Sequence, residues 1–247
     1  MTRSDVLIIG AGPTGLVLAL WLTKLGVQVR IVDKTVEPGT TSRALAVHAR
    51  TLELYRQLEL TDFVIERGHK VPAVRLWVKG EPQARVNFEE IGSDLTPYSF
   101  LQIFPQDEHE RLLISKLEKF GVSVERQTEL LGYRDEDTHV VARLHRPGAQ
   151  DEICEATFIA GCDGVHSVVR ETMGTGFQGG TYRHLFYVAD VLASGPAIDG
   201  ELHVDLEEAD FLAVFPLAGK GRARLIGTVS DERAGNADSL SVRPESS

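Results

Sequence analysis

The sequence predicts an α/β fold in two interleaved parts, a β-α-β core and a mostly antiparallel β-sheet. Two observations predict the core. An apolar run at 6–9 ends in closely spaced glycines, and a helical pattern then leads to a second β-branched run at 27–32. A third observation predicts the other sheet, because short alternating segments replace the long apolar ones from Val71 onward.

The composition is that of a globular protein and argues against several other classes. The chain has 247 residues, of which 43% are hydrophobic and 25% are charged. Its net charge of −10 argues against a nucleic-acid surface. No apolar run reaches the roughly 20 residues that cross a bilayer, so no membrane partner is expected. Cys154 and Cys162, in a chain without a secretory signature, predict reduced thiols and a cytoplasmic location.

The glycine cluster predicts a site for a dinucleotide. Gly10, Gly12 and Gly15 have the spacing G-x-G-x-x-G between the first strand and the first helix. In such a unit the first glycine allows a sharp turn, the second lets the backbone approach a pyrophosphate, and the third lets the helix lie close to the strand. The helix N-terminus attracts the pyrophosphate charge.

The second strand ends at Asp33, where a carboxylate can accept hydrogen bonds from both hydroxyls of an adenosine ribose. A phosphorylated ribose would be repelled, so FAD or NAD is predicted and NADP is disfavoured at this site. An ordinary crossover, whose glycines only make a turn, is the alternative. The agreement of strand, helix, second strand and acid favours the binding site.

The next segments carry two polar residues with two interpretations each. Helical spacing predicts a helix from about Leu45 to Leu58, and Arg43 just before it is either a donor to a phosphate or ribityl oxygen or a solvated side chain. Gln102 lies in an apolar strand and is either a core amide or a ligand contact.

The rest of the chain returns to the core and leaves it again. A helix is predicted at 107–120, followed by a meander and an apolar strand that ends at Asp163-Gly164. Asp163 is either a helix cap or part of a phosphate site. Four strands follow between residues 182 and 230, with a turn at Lys220-Gly221. The domains are therefore predicted as 1–71 with 107–180, and 72–106 with 181–230, before a polar tail at 231–247.

These motifs together resemble the class A flavoprotein monooxygenases, the family of para-hydroxybenzoate hydroxylase, phenol hydroxylase and the polyketide and rifampicin hydroxylases. The resemblance is carried by IIGAGPTGL, by VDK at 32–34, by SRALAVHARTLELYRQLEL, and by GCDGVHSVVRETMG with its Asp-Gly-x-x-Ser-x-x-Arg pattern. It implies a Rossmann-like (GR2-type) FAD-binding domain with an interleaved, mostly antiparallel β-sheet substrate domain.

The resemblance also implies a set of cofactor-binding residues. It places Pro13 and Thr14 at the pyrophosphate, Asp33 and Lys34 at the ribose, and Arg43 and Gln102 at the phosphates or ribityl chain. Leu130 would meet the adenine through its backbone, and Asp163 with Gly164 would lie near the pyrophosphate. The strand that ends in FPLAG resembles the sheet that faces the isoalloxazine. No metal site and no catalytic acid–base pair are expected.

The implied reaction uses FAD, NADPH or NADH, and O2. The reductant reduces FAD, and a flavin hydroperoxide then delivers one oxygen atom to an aromatic small molecule. A flavin-dependent dehydrogenase or reductase, and a silent FAD-binding remnant, are the alternatives, while an NAD-only dehydrogenase is disfavoured. The family's later Gly-Asp motif is missing, since the chain contains no Gly-Asp dipeptide. Either the chain is a fragment or its FAD site is incomplete, and a homodimer is left open.

Overall fold

The computed structural model describes residues 2–39, 44–180, 185–206 and 211–229. The helices of these ranges are α1 Pro13–Lys24, α2 Ala49–Gln57, α3 Thr61–Arg67, α4 Phe88–Gly92, α5 Gln106–Lys119 and α6 Val168–Thr172. The strands are β1 Thr2–Ile9, β2 Val29–Val32, β3 Ala46–Val47, β4 His69–Val71, β5 Ala73–Val78, β6 Glu81–Asn87, β7 Leu101–Ile103, β8 Glu129–Asp135, β9 Val140–His145, β10 Glu152–Gly161, β11 Leu185–Leu192, β12 Leu202–Leu206, β13 Phe211–Pro216 and β14 Arg222–Val229.

The chain divides into two compact units, each made of two separate segments. Unit 1 contains Met1–Ala44 and Pro105–Gln178, and unit 2 contains Leu45–Phe104 and Gly179–Ser247. The first crossing therefore lies earlier than residue 71, where the sequence analysis placed it. Residues 45–71 join unit 2 because β3 and β4 both pair with β7.

Unit 1 is built on a five-stranded sheet in the order β2-β1-β10-β9-β8. β1 runs parallel to β2 and to β10, whereas β9 is antiparallel to β10 and β8. Both faces of a parallel strand are covered, and accordingly the apolar residues of β1 are buried while α1 packs beside α5. The predicted helix at 107–120 is confirmed as α5, and the predicted return strand is confirmed as β10 parallel to β1.

A short segment at 125–128, which bridges to β2 at Glu125 and turns at residues 126 and 127, lies beside the end of β2. The Glu125 amide donates to the Ile31 carbonyl at 3.0 Å, and the Asp33 amide donates to the Glu125 carbonyl at 2.9 Å. Arg30 on β2 forms ion pairs with Glu125 at 2.7 Å and with Glu152 at 2.8 Å. These contacts fix the register of the segment against β2.

Unit 2 contains a six-stranded sheet in the order β11-β14-β13-β12-β5-β6. All of its pairs are antiparallel except β12 with β5, so the predicted mostly antiparallel sheet is confirmed. The predicted turn at Lys220-Gly221 connects β13 to β14. The start of the first predicted strand, at residues 182–184, and the predicted polar tail at 231–247 lie outside the described residues.

Two expectations about unit 2 need correction. The helix predicted from Leu45 begins only at Ala49, because Ala46 and Val47 pair with Ile103 and Gln102 as strand β3. The strand around Gln102 was expected in the substrate-side sheet. It is instead the central strand of a separate three-stranded sheet, β3-β7-β4.

Several apolar side chains remain exposed on the strands. Phe158 on β10 is 66% exposed. Four apolar residues of β11 are between 49% and 80% exposed, namely Leu185, Phe186, Val188 and Leu192. None of the helices in the described ranges is long and apolar enough to cross a membrane.

The buried β1 strand sets a test of stability. Leu7 is fully buried in unit 1, whereas Leu25 at the end of α1 is 72% exposed. We expect Leu7→Ala to lower the free energy of unfolding by about 2–5 kcal/mol through lost burial and a new cavity. Leu25→Ala is the matched control and should change it by less than about 0.5 kcal/mol. Urea denaturation followed by circular dichroism measures both, and equal effects would contradict this packing.

Candidate functional site

The largest concentration of predicted site residues lies around one cavity of unit 1. The cavity has a volume of about 250 Å³ and is formed where β1, β2 and β10 end, with one wall from the start of β8. It is lined by Ile9, Gly10, Gly12, Val32, Asp33, Lys34, Thr35, Thr128, Glu129, Leu130, Cys162, Asp163, Gly164, His166 and Val168. This is the end of a parallel sheet at which α/β proteins bind nucleotides.

The three glycines of the turn have different surroundings. Gly10 has a φ of 100°, and a Cβ there would collide with the carbonyl of Cys162. A Cβ on Gly15 would collide with the Gly10 carbonyl, so Gly15 lets α1 lie against the turn. A Cβ on Gly12 would meet nothing within 4 Å and would project into open space at the cavity wall. Gly12 therefore leaves room for part of a bound ligand next to its backbone.

The beginning of α1 is suited to an anionic group. Gly12 is the N-cap and forms no side-chain hydrogen bond, and the first turn contains no acidic residue. Pro13 occupies the first helical position, where its missing N–H costs nothing. The partial positive charge of the helix end and the free N–H groups of its first turn are the features that bind phosphates in other proteins.

Asp33 is already held by the protein. Its Oδ2 accepts a hydrogen bond from the Ala11 amide at 2.6 Å, and its Oδ1 accepts from the Thr35 amide at 2.8 Å and the Thr35 hydroxyl at 2.6 Å. A carboxylate offers about four acceptor positions, so one on Oδ2 is left for a ligand. The expected contact with both ribose hydroxyls would therefore require Thr35 to give way.

The loop at Asp163 joins the cavity wall to α6. The Cys162 amide donates to the Ile9 carbonyl at 2.7 Å, which fixes the loop at the end of β1. The Asp163 carboxylate accepts from the Ser167 hydroxyl at 2.6 Å and from the Val168 amide at 2.7 Å. The N-cap of α6 is Ser167, and Asp163 supports that helix start through these two hydrogen bonds while it also lines the cavity.

The thiol of Cys162 lies in the same wall. Partial burial and the neighbouring Asp163 carboxylate both raise the pKa of this thiol above its ordinary value. The thiolate is therefore less populated at neutral pH than that of an exposed cysteine.

The structure brings most of the sequence-predicted residues together, but not all. Gly10, Gly12, Asp33, Lys34, Leu130, Asp163 and Gly164 line the cavity, and Pro13, Thr14 and Gly15 form the first turn of α1 beside it. Arg43 lies outside the described residues.

Gln102 belongs to unit 2. Its side chain is fully buried, and its amide nitrogen donates to the Val64 carbonyl at 2.8 Å. This position corresponds to the core-amide interpretation, although its Oε1 atom has no hydrogen-bond partner.

Sequence reasoning did not single out Thr35, Thr128, Cys162 or His166 as site residues, yet they line the cavity. Thr128 belongs to the segment at 125–128, whose register beside β2 depends on tertiary hydrogen bonds. The Gly-Cys-Asp-Gly motif was the available signal for Cys162 and His166, since both lie within three residues of Asp163.

Comparison with known proteins decides the family. The profile of the family described as "FAD binding domain" matches residues 3–243. The chain belongs to this FAD-binding domain family. The residues present fit that cofactor, because the cavity combines an open glycine, an uncapped helix start and an acid at the end of β2.

Curated relatives of this FAD-binding domain are monooxygenases. The chain is 36% identical over 220 residues to 6-methylpretetramide 4-monooxygenase of Streptomyces rimosus. This alignment covers 89% of this chain and 39% of the relative. It is 30% identical over 238 residues to a flavin-dependent monooxygenase of Mycobacteroides abscessus. That alignment covers 92% of this chain and 50% of the relative. The chain thus spans half or less of the length of these relatives.

Solved structures share the fold. The p-nitrophenol 4-monooxygenase of Pseudomonas putida superposes with a TM-score of 0.86 at 21% identity, over 96% of this chain and 62% of that chain. An aklavinone-11 hydroxylase, solved with FAD and aklavinone, superposes with a TM-score of 0.79 at 26% identity, over 98% of this chain and 48% of that chain.

The open position of Gly12 gives a prediction about flavin binding. We expect Gly12→Val to weaken FAD binding at least about tenfold by filling the phosphate-side space, while the thermal unfolding midpoint stays within about 2 °C of the wild type. Gly10→Val is the comparison, because its positive φ and the nearby Cys162 carbonyl should lower stability as well. Flavin fluorescence titration and thermal unfolding measure the two effects. Unchanged FAD affinity in Gly12→Val would contradict this placement.

The thiol of Cys162 gives a prediction about pH. Its raised pKa means slow alkylation at neutral pH, with a rate that rises as pH increases through the alkaline range and the thiolate forms. Bound FAD should slow the reaction at least about fivefold, since the thiol lines the cavity. Iodoacetamide labelling followed by mass spectrometry measures the rate. Cys162→Ser is the control, because the remaining Cys154 is fully buried. Equal rates with and without FAD would show that the cavity is not the flavin site.

Proposed function

We propose that this chain is the FAD-binding part of an FAD- and NAD(P)H-dependent monooxygenase that hydroxylates an aromatic or polyketide-type small molecule with O2. The observation that carries the proposal is the cavity of unit 1, where Gly12, Asp33 and Asp163 meet in a chain that belongs to the FAD-binding domain family. Relatives named for 6-methylpretetramide, rifampicin and pentachlorophenol support the substrate class.

The residues of unit 1 would hold FAD by its dinucleotide part. The N-terminal turn of α1 would bind the diphosphate, Asp33 would accept a hydrogen bond from the ribose, and the wall at Thr128 and Leu130 would contain the adenine. The loop at Asp163 would close the diphosphate side. When bound, the flavin supplies the redox chemistry with O2, and the protein contributes placement and a dry environment.

The sheet of unit 2 would supply the substrate side. Its described core joins buried Leu202, Ala213 and Leu217 to partly buried apolar residues on β13 and β14, including Phe211, Phe215 and Ile226. Partly buried aromatic and apolar side chains on this sheet would suit a flat aromatic molecule, because moving its apolar area out of water is favourable. A homodimer and a cytoplasmic location stay expectations of the sequence analysis.

The test of this function begins with the absorbance spectrum of the purified chain, with and without added FAD. NADH and NADPH oxidation is then followed with and without a phenolic or tetracyclic substrate, while peroxide and hydroxylated product are measured. Because the chain spans half or less of its curated relatives' length, a version extended by its downstream coding sequence, if one exists, is assayed in parallel.

We expect a flavin spectrum and substrate-stimulated NAD(P)H oxidation with one oxygen atom incorporated from ¹⁸O2 into the product. NAD(P)H oxidation without an oxygenated product in either version would favour the dehydrogenase or reductase alternative. A colourless protein that stays colourless with FAD would favour the silent remnant.

A further inference from the structure

Arg126 lies beside the acid of the cofactor cavity without having been singled out by its sequence context. Its Nη1 atom donates to the Thr35 hydroxyl at 3.1 Å and lies 3.6 Å from Asp33 Oδ1. The side chain is 18% exposed, and its Nη2 atom is buried without a hydrogen-bond partner. Burial of a cation with only part of its hydrogen bonds satisfied is costly, so this position demands an explanation.

The backbone places Arg126 where it is. The segment at 125–128 is fixed to β2 by the hydrogen bonds of Glu125 and by a further bond from the Thr128 amide to the Asp33 carbonyl at 2.9 Å. The next residue, Gln127, has a φ of 51°, a left-handed conformation that side chains rarely adopt. Its amide donates to the Thr35 carbonyl at 3.1 Å. The segment is thus folded tightly around the Asp33–Thr35 turn.

Arg126, Thr35 and Asp33 form a chain of hydrogen bonds. Arg126 donates to the Thr35 hydroxyl, and that hydroxyl has a single proton, which it donates either to Asp33 Oδ1 at 2.6 Å or to the Glu37 carbonyl at 2.9 Å. The nearby positive charge of Arg126 attracts the carboxylate. Hydrogen bonds in such a chain strengthen one another.

The chain determines which part of Asp33 remains available. Oδ1 is occupied by the amide and hydroxyl of Thr35, and Oδ2 is occupied once by the Ala11 amide. The remaining acceptor position on Oδ2 has a fixed direction as long as the carboxylate cannot rotate. Arg126 opposes rotation because it holds the Thr35 hydroxyl against Oδ1.

We propose that Arg126 is a positioning residue, which acts through Thr35 to orient the Asp33 carboxylate toward a ribose hydroxyl of the cofactor's adenosine. This inference deepens the cofactor site on which the proposed function rests. It assigns no direct ligand contact to Arg126, which is not among the residues that line the cavity. Its effect should therefore depend on whether the ligand carries ribose hydroxyls.

The test compares ADP with 2′,3′-dideoxy-ADP by isothermal titration of the flavin-free chain. ADP carries the adenosine and diphosphate of FAD, and the dideoxy compound lacks only the hydroxyls. We expect the wild type to prefer ADP about tenfold, the effect of one hydrogen bond to a charged group. In Arg126→Met the preference should fall below about threefold, mainly through weaker ADP binding.

Arg146→Met is the matched control. Arg146 holds the same segment, through an ion pair with Glu125 and a hydrogen bond from its Nε to the Thr128 hydroxyl at 3.0 Å. Its loss should weaken both ligands to the same extent and keep the preference for ADP. Thr35→Val removes the linking hydroxyl from an exposed residue and should lose the preference as Arg126→Met does. It keeps the test available if Arg126→Met fails to fold.

Three results would overturn the inference. These are a wild type without preference for ADP, a preference retained in Arg126→Met or in Thr35→Val, and a preference lost equally in Arg146→Met. The outcome is separable from that of the proposed function. A wild type that shows the preference but forms no oxygenated product removes the monooxygenase proposal and leaves the role of Arg126 standing.

Discussion

The close approach of three backbone segments at the start of the chain is the constraint on which the nucleotide site depends. The Cys162 carbonyl lies against Gly10, and the Gly10 carbonyl lies against Gly15, so neither glycine has room for a side chain. These contacts bring the start of α1 and the loop after β10 to the end of the same strand. A side chain at either glycine would separate them, and the helix N-terminus would no longer face the space beside Gly12.

The position of Asp33 could be predicted from the sequence, but the position of Arg126 beside it could not. The acid was identifiable from its place at the end of the second strand, because the pattern of strand, turn, helix and strand determines that place. The nearby cation Arg126 was not identifiable, because it lies more than ninety residues later, in a segment with no repeating pattern. Long-range register of this kind is set by backbone hydrogen bonds, which leave little trace in side-chain periodicity.

The same distinction explains what the sequence predicted of the fold. Long apolar patterns and glycine punctuation marked β1, α1, α5 and β10 correctly, and alternation marked the strands of unit 2. The short strand β3 was taken for the start of a helix, because Leu45, Ala49 and Leu52 have helical spacing. Pairing of two residues with β7 overrides that preference locally. Gln102 illustrates a related difficulty, since an amide in an apolar strand has the same sequence context whether it meets a ligand or the Val64 carbonyl.

The alternation of the two units along the chain has a consequence for how the protein is made. In unit 1, Val6 of β1 pairs with Phe158 of β10, so this strand pair joins residues that are separated by more than half the length of the chain. At a ribosomal rate of about 5–20 residues per second, β1 emerges on the order of ten seconds or more before β10. During that time one edge of an apolar strand has no partner from its own sheet. Nascent chains of this topology are therefore exposed to association with other strands, and their folding rate is limited by a late, long-range closure.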